Sequence, residues 1–188
     1  MRGISRQAFT LLELMVTIAV IMIVSSLVIR GTYTYLQEQH LRQAANELVS
    51  YLLTARGRAM RDANDSDKAC EVQLDAATST VGATAAAANI CNDPPVLPAL
   101  NLLAASGAAA LTITASTGNS PYTITFTRSG TVAASNLSSS TAITLPRIFY
   151  LSNSSATQMQ RCVMVDLNSL RIGWRNSSAT PLCTYNAY

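Results

Sequence analysis

Residues 9 to 29, FTLLELMVTIAVIMIVSSLVI, form an apolar run whose one charge, Glu13, lies close to its start. Its length matches the roughly 20 residues an α-helix needs to cross a bilayer. A removable secretion signal would have a shorter apolar core followed by a small-residue cleavage site, and Ser25 and Ser26 offer only a poor version of one. Arg2 and Arg6 precede the run. The positive-inside rule leaves them in the cytoplasm and sends everything after the run to the other side.

A carboxylate at the centre of a membrane helix costs about 2.5 to 3.5 kcal/mol, so Glu13 needs a partner or a shallow position. No cation stands within a helical turn on its C-terminal side. A cut between Ala8 and Phe9 would create one: the new α-amine would sit beside the bilayer, ready to pair with Glu13 of a neighbouring subunit.

The short basic leader, the small residue Ala8, and then Phe9, Thr10, Leu11, Leu12, Glu13 and Leu14 resemble the processing site of type IV prepilins and type II secretion pseudopilins. The resemblance implies a leader of residues 1–8, removed by a membrane-embedded prepilin peptidase that also methylates Phe9. It implies as well that Glu13 guides subunit docking. Two positions depart from that pattern. Ala8 stands where glycine is usual, and Arg30 and Gly31 stand where many relatives have a helix-kinking proline.

Beyond the run, Leu41, Ala45, Leu48, Leu52, Ala55 and Ala59 recur at spacings of four and three, which predicts that the helix continues with one apolar face. Arginines at 56, 58 and 61 followed by Asn64, Asp65 and Ser66 predict its end near Asp62. The stretch LRQAANELVSYLLTARGRAMRD is similar to the GspH/FimT branch of the family, as are ITFTRSGTVAAS and RCVMVDLNSLRIGWR. The expected architecture is therefore α+β, a pilin fold. A long helix over 9–62, transmembrane over 9–29, packs on a small antiparallel sheet within a β-rich domain of residues 63–188.

Alternation at 70–75 and 122–127 predicts half-buried strands, with Glu71, Gln73, Asp75, Thr123 and Thr125 on the outer side. Residues 111–115, 141–145 and 147–151 are weaker strand candidates. Alanine-rich residues 78–107, interrupted by Pro94, Pro95 and Pro98, read as an inserted loop with a short helix at 99–105. The near-repeats SNSSAT (152–157) and RNSSAT (175–180) read as similar loops.

All four cysteines, Cys70, Cys91, Cys162 and Cys183, fall on the non-cytoplasmic side. They lack the paired short spacings of a zinc site, so disulfides are expected and no metal. Four cysteines allow three connectivities. Sequence order favours Cys70 with Cys91 and Cys162 with Cys183.

From Pro94 onward the chain carries Arg128, Arg147, Arg161, Arg171 and Arg175 against Asp166 alone, a net charge of about +4 from five cations and one anion. In RCVMVDLNSLRIGWR a turn pivoting on Asn168 would set Arg161 opposite Arg175 and place both on one face with Arg171. Two readings of this hairpin follow: a disulfide-stapled surface element, or an arginine cluster for phosphate, since opposed like charges in a sheet invite a bridging anion. Some FimT-type minor pilins are DNA receptors for natural transformation through a Gly-Arg-x-Arg motif. The corresponding stretch here, Leu170 to Gly173, lacks the first glycine and the second arginine, and Arg175 is displaced by two residues.

The leading expectation is a structural subunit of a type IV pilus or type II secretion pseudopilus, inserted in the bacterial inner membrane before assembly. Its expected partners are prepilin peptidase, other pilin or pseudopilin subunits and inner-membrane lipid. The alternative is a DNA-binding minor pilin acting through Arg161, Arg171 and Arg175. Catalysis is not expected, and neither is a cofactor: the single histidine, His40, sits on the long helix and no carboxylate pair stands out.

Overall fold

A single helix, α1 (Leu11–Asp62), leads into a sheet-rich remainder, and both belong to an α+β chain. The computed structural model describes residues 11–62, 68–86, 88–94, 96–107, 111–117, 120–133, 144–153, 156–175 and 183–185, apart from the side chains of 27–31, 34, 105–106 and 156–159. The chain divides into two compact units, Met1–Leu36 and Gln37–Tyr188.

Within the second unit, Leu41, Ala45, Leu48, Leu52, Ala55 and Ala59 are all fully buried, joined by Ala44 and Tyr51. The spacing of four and three brings them onto one face, and the alanines among them let α1 approach the sheets closely. The helix ends at Asp62 with Arg61 in its last turn, where a cation complements the helix dipole.

The strands among the described residues are β1 (Cys70–Asp75), β2 (Thr80–Ala83), β3 (Leu100–Asn101), β4 (Thr112–Ala115), β5 (Tyr122–Phe126), β6 (Arg147–Asn153), β7 (Ala156–Val165), β8 (Leu170–Arg175) and β9 (Thr184–Tyr185). They form two antiparallel sheets, in the orders β3-β2-β1-β5 and β4-β6-β7-β8-β9. Of the strand candidate 141–145, residues 141–143 lie outside the described residues. Of the near-repeats, SNSSAT is not a loop throughout: 152–153 end β6, 156–157 begin β7 and only 154–155 lie outside the described residues, whereas 176–180 of RNSSAT all lie outside them.

Residues 78–107 are not a loop added to the outside. They supply β2, β3, a 3-10 turn at Ile90–Asn92 and the short helix α2 (Leu102–Ser106), and Val81, Ile90, Cys91 and Leu102 are buried in the core. The alanine-rich composition hid the few large apolar residues that anchor the segment. α2 begins at Leu102 because the Asn101 side chain accepts from the Ala104 N–H at 3.0 Å, and it stops at Gly107, whose φ of +67° suits glycine.

Glu71 also departs from the simple alternation, being fully buried. Its carboxylate accepts the hydroxyls of Thr84 at 2.7 Å and Thr125 at 3.2 Å. Beside it, Asn89 clamps the backbone: its Oδ1 accepts from the N–H groups of Glu71 (2.9 Å) and Cys91 (3.1 Å), and its Nδ2 donates to the carbonyls of Glu71 and Thr84. This clamp holds the Cys91 turn against β1, where Cys91 is bonded to Cys70. A buried polar group is tolerated when its partners are supplied in this way.

Candidate functional site

Two regions carry the residues singled out in the sequence: the start of α1 and the β7–β8 hairpin.

In the first turn of α1 stands Glu13, where a negative charge is favoured by the helix dipole. Around it every large apolar side chain from Leu11 to Val24 is exposed, from 46% at Ile18 to 77% at Leu11. The hydroxyls of Thr17 and Ser26 turn back to donate to the carbonyls of Leu14 and Ile23, each at 2.8 Å, so they add no free polar group to the surface. Covering these eleven side chains is worth on the order of 10 kcal/mol or more, as large as the stability of a whole domain. Such a segment requires an apolar environment, either lipid or other helices. Among the described residues no helix is long and apolar enough to cross a membrane. The fully described part of the run stops at Ser26, while Ala8, Phe9 and Thr10 and the side chains of 27–29 lie outside the description.

Residues 4–29 match the family model of the prokaryotic N-terminal methylation motif. The chain thus carries the processing signal of type IV pilin-like prepilins, ending at the residue where the apolar run ends. No curated protein and no solved structure matches the chain. The α+β architecture, with its N-terminal helix and antiparallel sheets, is consistent with a pilin fold.

The hairpin differs from the expected geometry by one residue. The Asp166 N–H donates to the Ser169 carbonyl at 2.9 Å, so the loop is the two-residue Leu167–Asn168 and the axis falls between them. Val165 consequently pairs with Leu170, Arg161 with Trp174, and Gln160 with Arg175. A one-residue slip moves a side chain to the other face of the sheet. Arg161 therefore lies on the face of Val163 and Val165, which are buried, while Arg171 and Arg175 lie on the other.

The three arginines do not form one cluster. Arg161 has only 12% of its side chain exposed and donates to Glu38 of α1 at 2.7 Å. Glu38 also holds Arg42. Burial holds the Arg161 guanidinium below its ordinary pKa, Arg42 pushes the same way, and Glu38 opposes both. Arg175 stacks over the Tyr150 ring at 3.8 Å and hydrogen-bonds Gln160. Arg171 is exposed. Trp174, although on the face of Leu170 and Ile172, is 36% exposed at the sheet end rather than in the core.

On the outer face the row Tyr150, Cys162, Gly173 and Tyr185 crosses four strands. Cys162 is bonded to Cys183, so the last described segment is strapped across β8. A Cβ at Gly173 would lie 2.7 Å from the Thr184 carbonyl oxygen, so the missing side chain is what lets the strap pass. The Cys162–Cys183 bond of this strap is the pairing that sequence order favours, as is Cys70–Cys91. Its passage across β8 and the Glu71 clamp were not found from the sequence, and the isolated Gly173 within a strand pattern was the available signal for the former. Among the described residues no group of histidine, cysteine and acidic side chains is arranged to hold a metal.

Proposed function

We propose that this chain is a structural subunit of the GspH/FimT type, a minor pilin or type II secretion pseudopilin. The observation that carries the reading is the methylation motif over 4–29, which takes in the start of α1, where the large apolar side chains from Leu11 to Val24 are all exposed. Prepilin peptidase cleaves between Ala8 and Phe9 and methylates the new terminus. Phe9 to Ile29 holds the subunit in the inner membrane, with the Gln37–Tyr188 unit in the periplasm, until it joins a pilus or pseudopilus. During assembly Glu13 pairs with the terminal amine of a neighbouring subunit, which offsets the cost of a carboxylate in an apolar bundle. The subunit acts through packing and charge pairing and performs no catalysis.

Glu13→Val tests the assembly role separately from processing. The variant is expected to be cleaved and retained in the membrane, yet to be missing from the sheared filament fraction. Incorporation at the wild-type level would refute the role given to Glu13.

A further inference from the structure

The exposed apolar run is followed by a second feature that neither processing nor Glu13 pairing explains. Tyr33 and Tyr35 are 57% and 61% exposed, and Leu36 beside them is 53% exposed. At 3.6 residues per turn, Tyr33 and Tyr35 point about 200° apart around α1, with Leu36 at about 300° from Tyr33. Aromatic residues that served one protein contact would recur at spacings of three and four along a single face. The two tyrosines instead point to nearly opposite sides of α1, and Leu36, three residues on, shares the Tyr33 side. Their position along the axis is equally specific: Arg30 is the first charge after Glu13, and from Leu11 to Arg30 the helix rises about 29 Å, matching the roughly 30 Å of a hydrocarbon core. The tyrosines therefore follow one bilayer thickness after the helix start, where a phenolic ring can keep its body in the acyl boundary and its hydroxyl in the headgroup layer.

We propose that Tyr33 and Tyr35 form an interfacial ring that seats α1 at the headgroup layer on the far side of the membrane and fixes its depth before assembly. The proposal rests on the membrane-helix reading above, and the test separates the two. Full-length protein is reconstituted in vesicles of phosphatidylethanolamine and phosphatidylglycerol containing lipids brominated either near the headgroup or near the chain end. Tryptophan is introduced singly as Tyr33→Trp, Tyr35→Trp or Ile21→Trp, and the signal of the wild type, whose one tryptophan is Trp174, is subtracted. The ring predicts that the probes at 33 and 35 both lose more emission to headgroup-proximal bromine than to deep bromine, and to a similar extent. The probe at 21 shows the reverse preference. If 21 is quenched by deep bromine but 33 and 35 are unquenched or unequal, the ring is wrong and the membrane helix stands. If 21 escapes deep bromine, the membrane helix is wrong and the ring falls with it.

Discussion

Tyr51 buries its hydroxyl in the packed face of α1 without a hydrogen-bond partner among the described residues, and burial pushes its pKa up to about 12. Removing an unsatisfied buried hydroxyl relieves its desolvation cost, so Tyr51→Phe is expected to stabilise the protein by about 1 kcal/mol at neutral pH, measured by urea denaturation in detergent. The pKa is higher folded than unfolded, so the wild type should lose stability as pH rises from 10 towards 12, where only the unfolded chain ionises readily. Tyr51→Phe should flatten that loss. The arginines separate in the same assay. Arg161→Gln leaves Glu38 with Arg42 alone and should cost about 1 to 3 kcal/mol, whereas exposed Arg171→Gln should stay within about 0.5 kcal/mol of wild type. Equal effects would contradict the faces assigned to them. Residue identity alone could not separate these arginines, because the difference depends on one step of register at a two-residue loop.

The helix was the most legible element. Its apolar spacing from Leu41 to Ala59 is carried by many residues at once, so one exception could not hide the face that packs, and the end at Asp62 follows from the arginines and turn formers around it. Strands β1 and β5 were visible in their alternation. What alternation could not show is a polar residue supplied with buried partners from elsewhere in the chain, as Glu71 is by Thr84 and Thr125. Residues 78–107 were misread for a related reason: contact across the sheet decides whether a small-residue segment is core, and composition does not record it. At the level of elements, Gly173→Ala should cost about 1 to 3 kcal/mol, because the new methyl meets both the Thr184 carbonyl oxygen and the Tyr185 ring of the strapped segment at 2.7 Å, and the backbone oxygen cannot yield as a flexible side chain would. Cys162→Ala with Cys183→Ala should cost roughly 3 kcal/mol through lost loop closure. Unchanged denaturation midpoints for Gly173→Ala would show that the strap does not press on β8.

For the molecule as a whole, the sequence and structure divide the work between two parts of one chain. The apolar start of α1 presents more hydrophobic surface than water tolerates and bears the methylation motif. The Gln37–Tyr188 unit carries its own core and two disulfides, Cys70–Cys91 and Cys162–Cys183, suited to an oxidising compartment. The role proposed for Glu13 depends on a cation created beside the bilayer after translation. The direct test is to express the full-length chain with and without its cognate prepilin peptidase and to determine the N-terminus of the membrane-bound product by mass spectrometry. The account predicts a chain beginning at N-methylated Phe9 when the peptidase is present and an unprocessed leader when it is absent. A product that retains residues 1–8 under both conditions would contradict it and would remove the basis for the pairing assigned to Glu13.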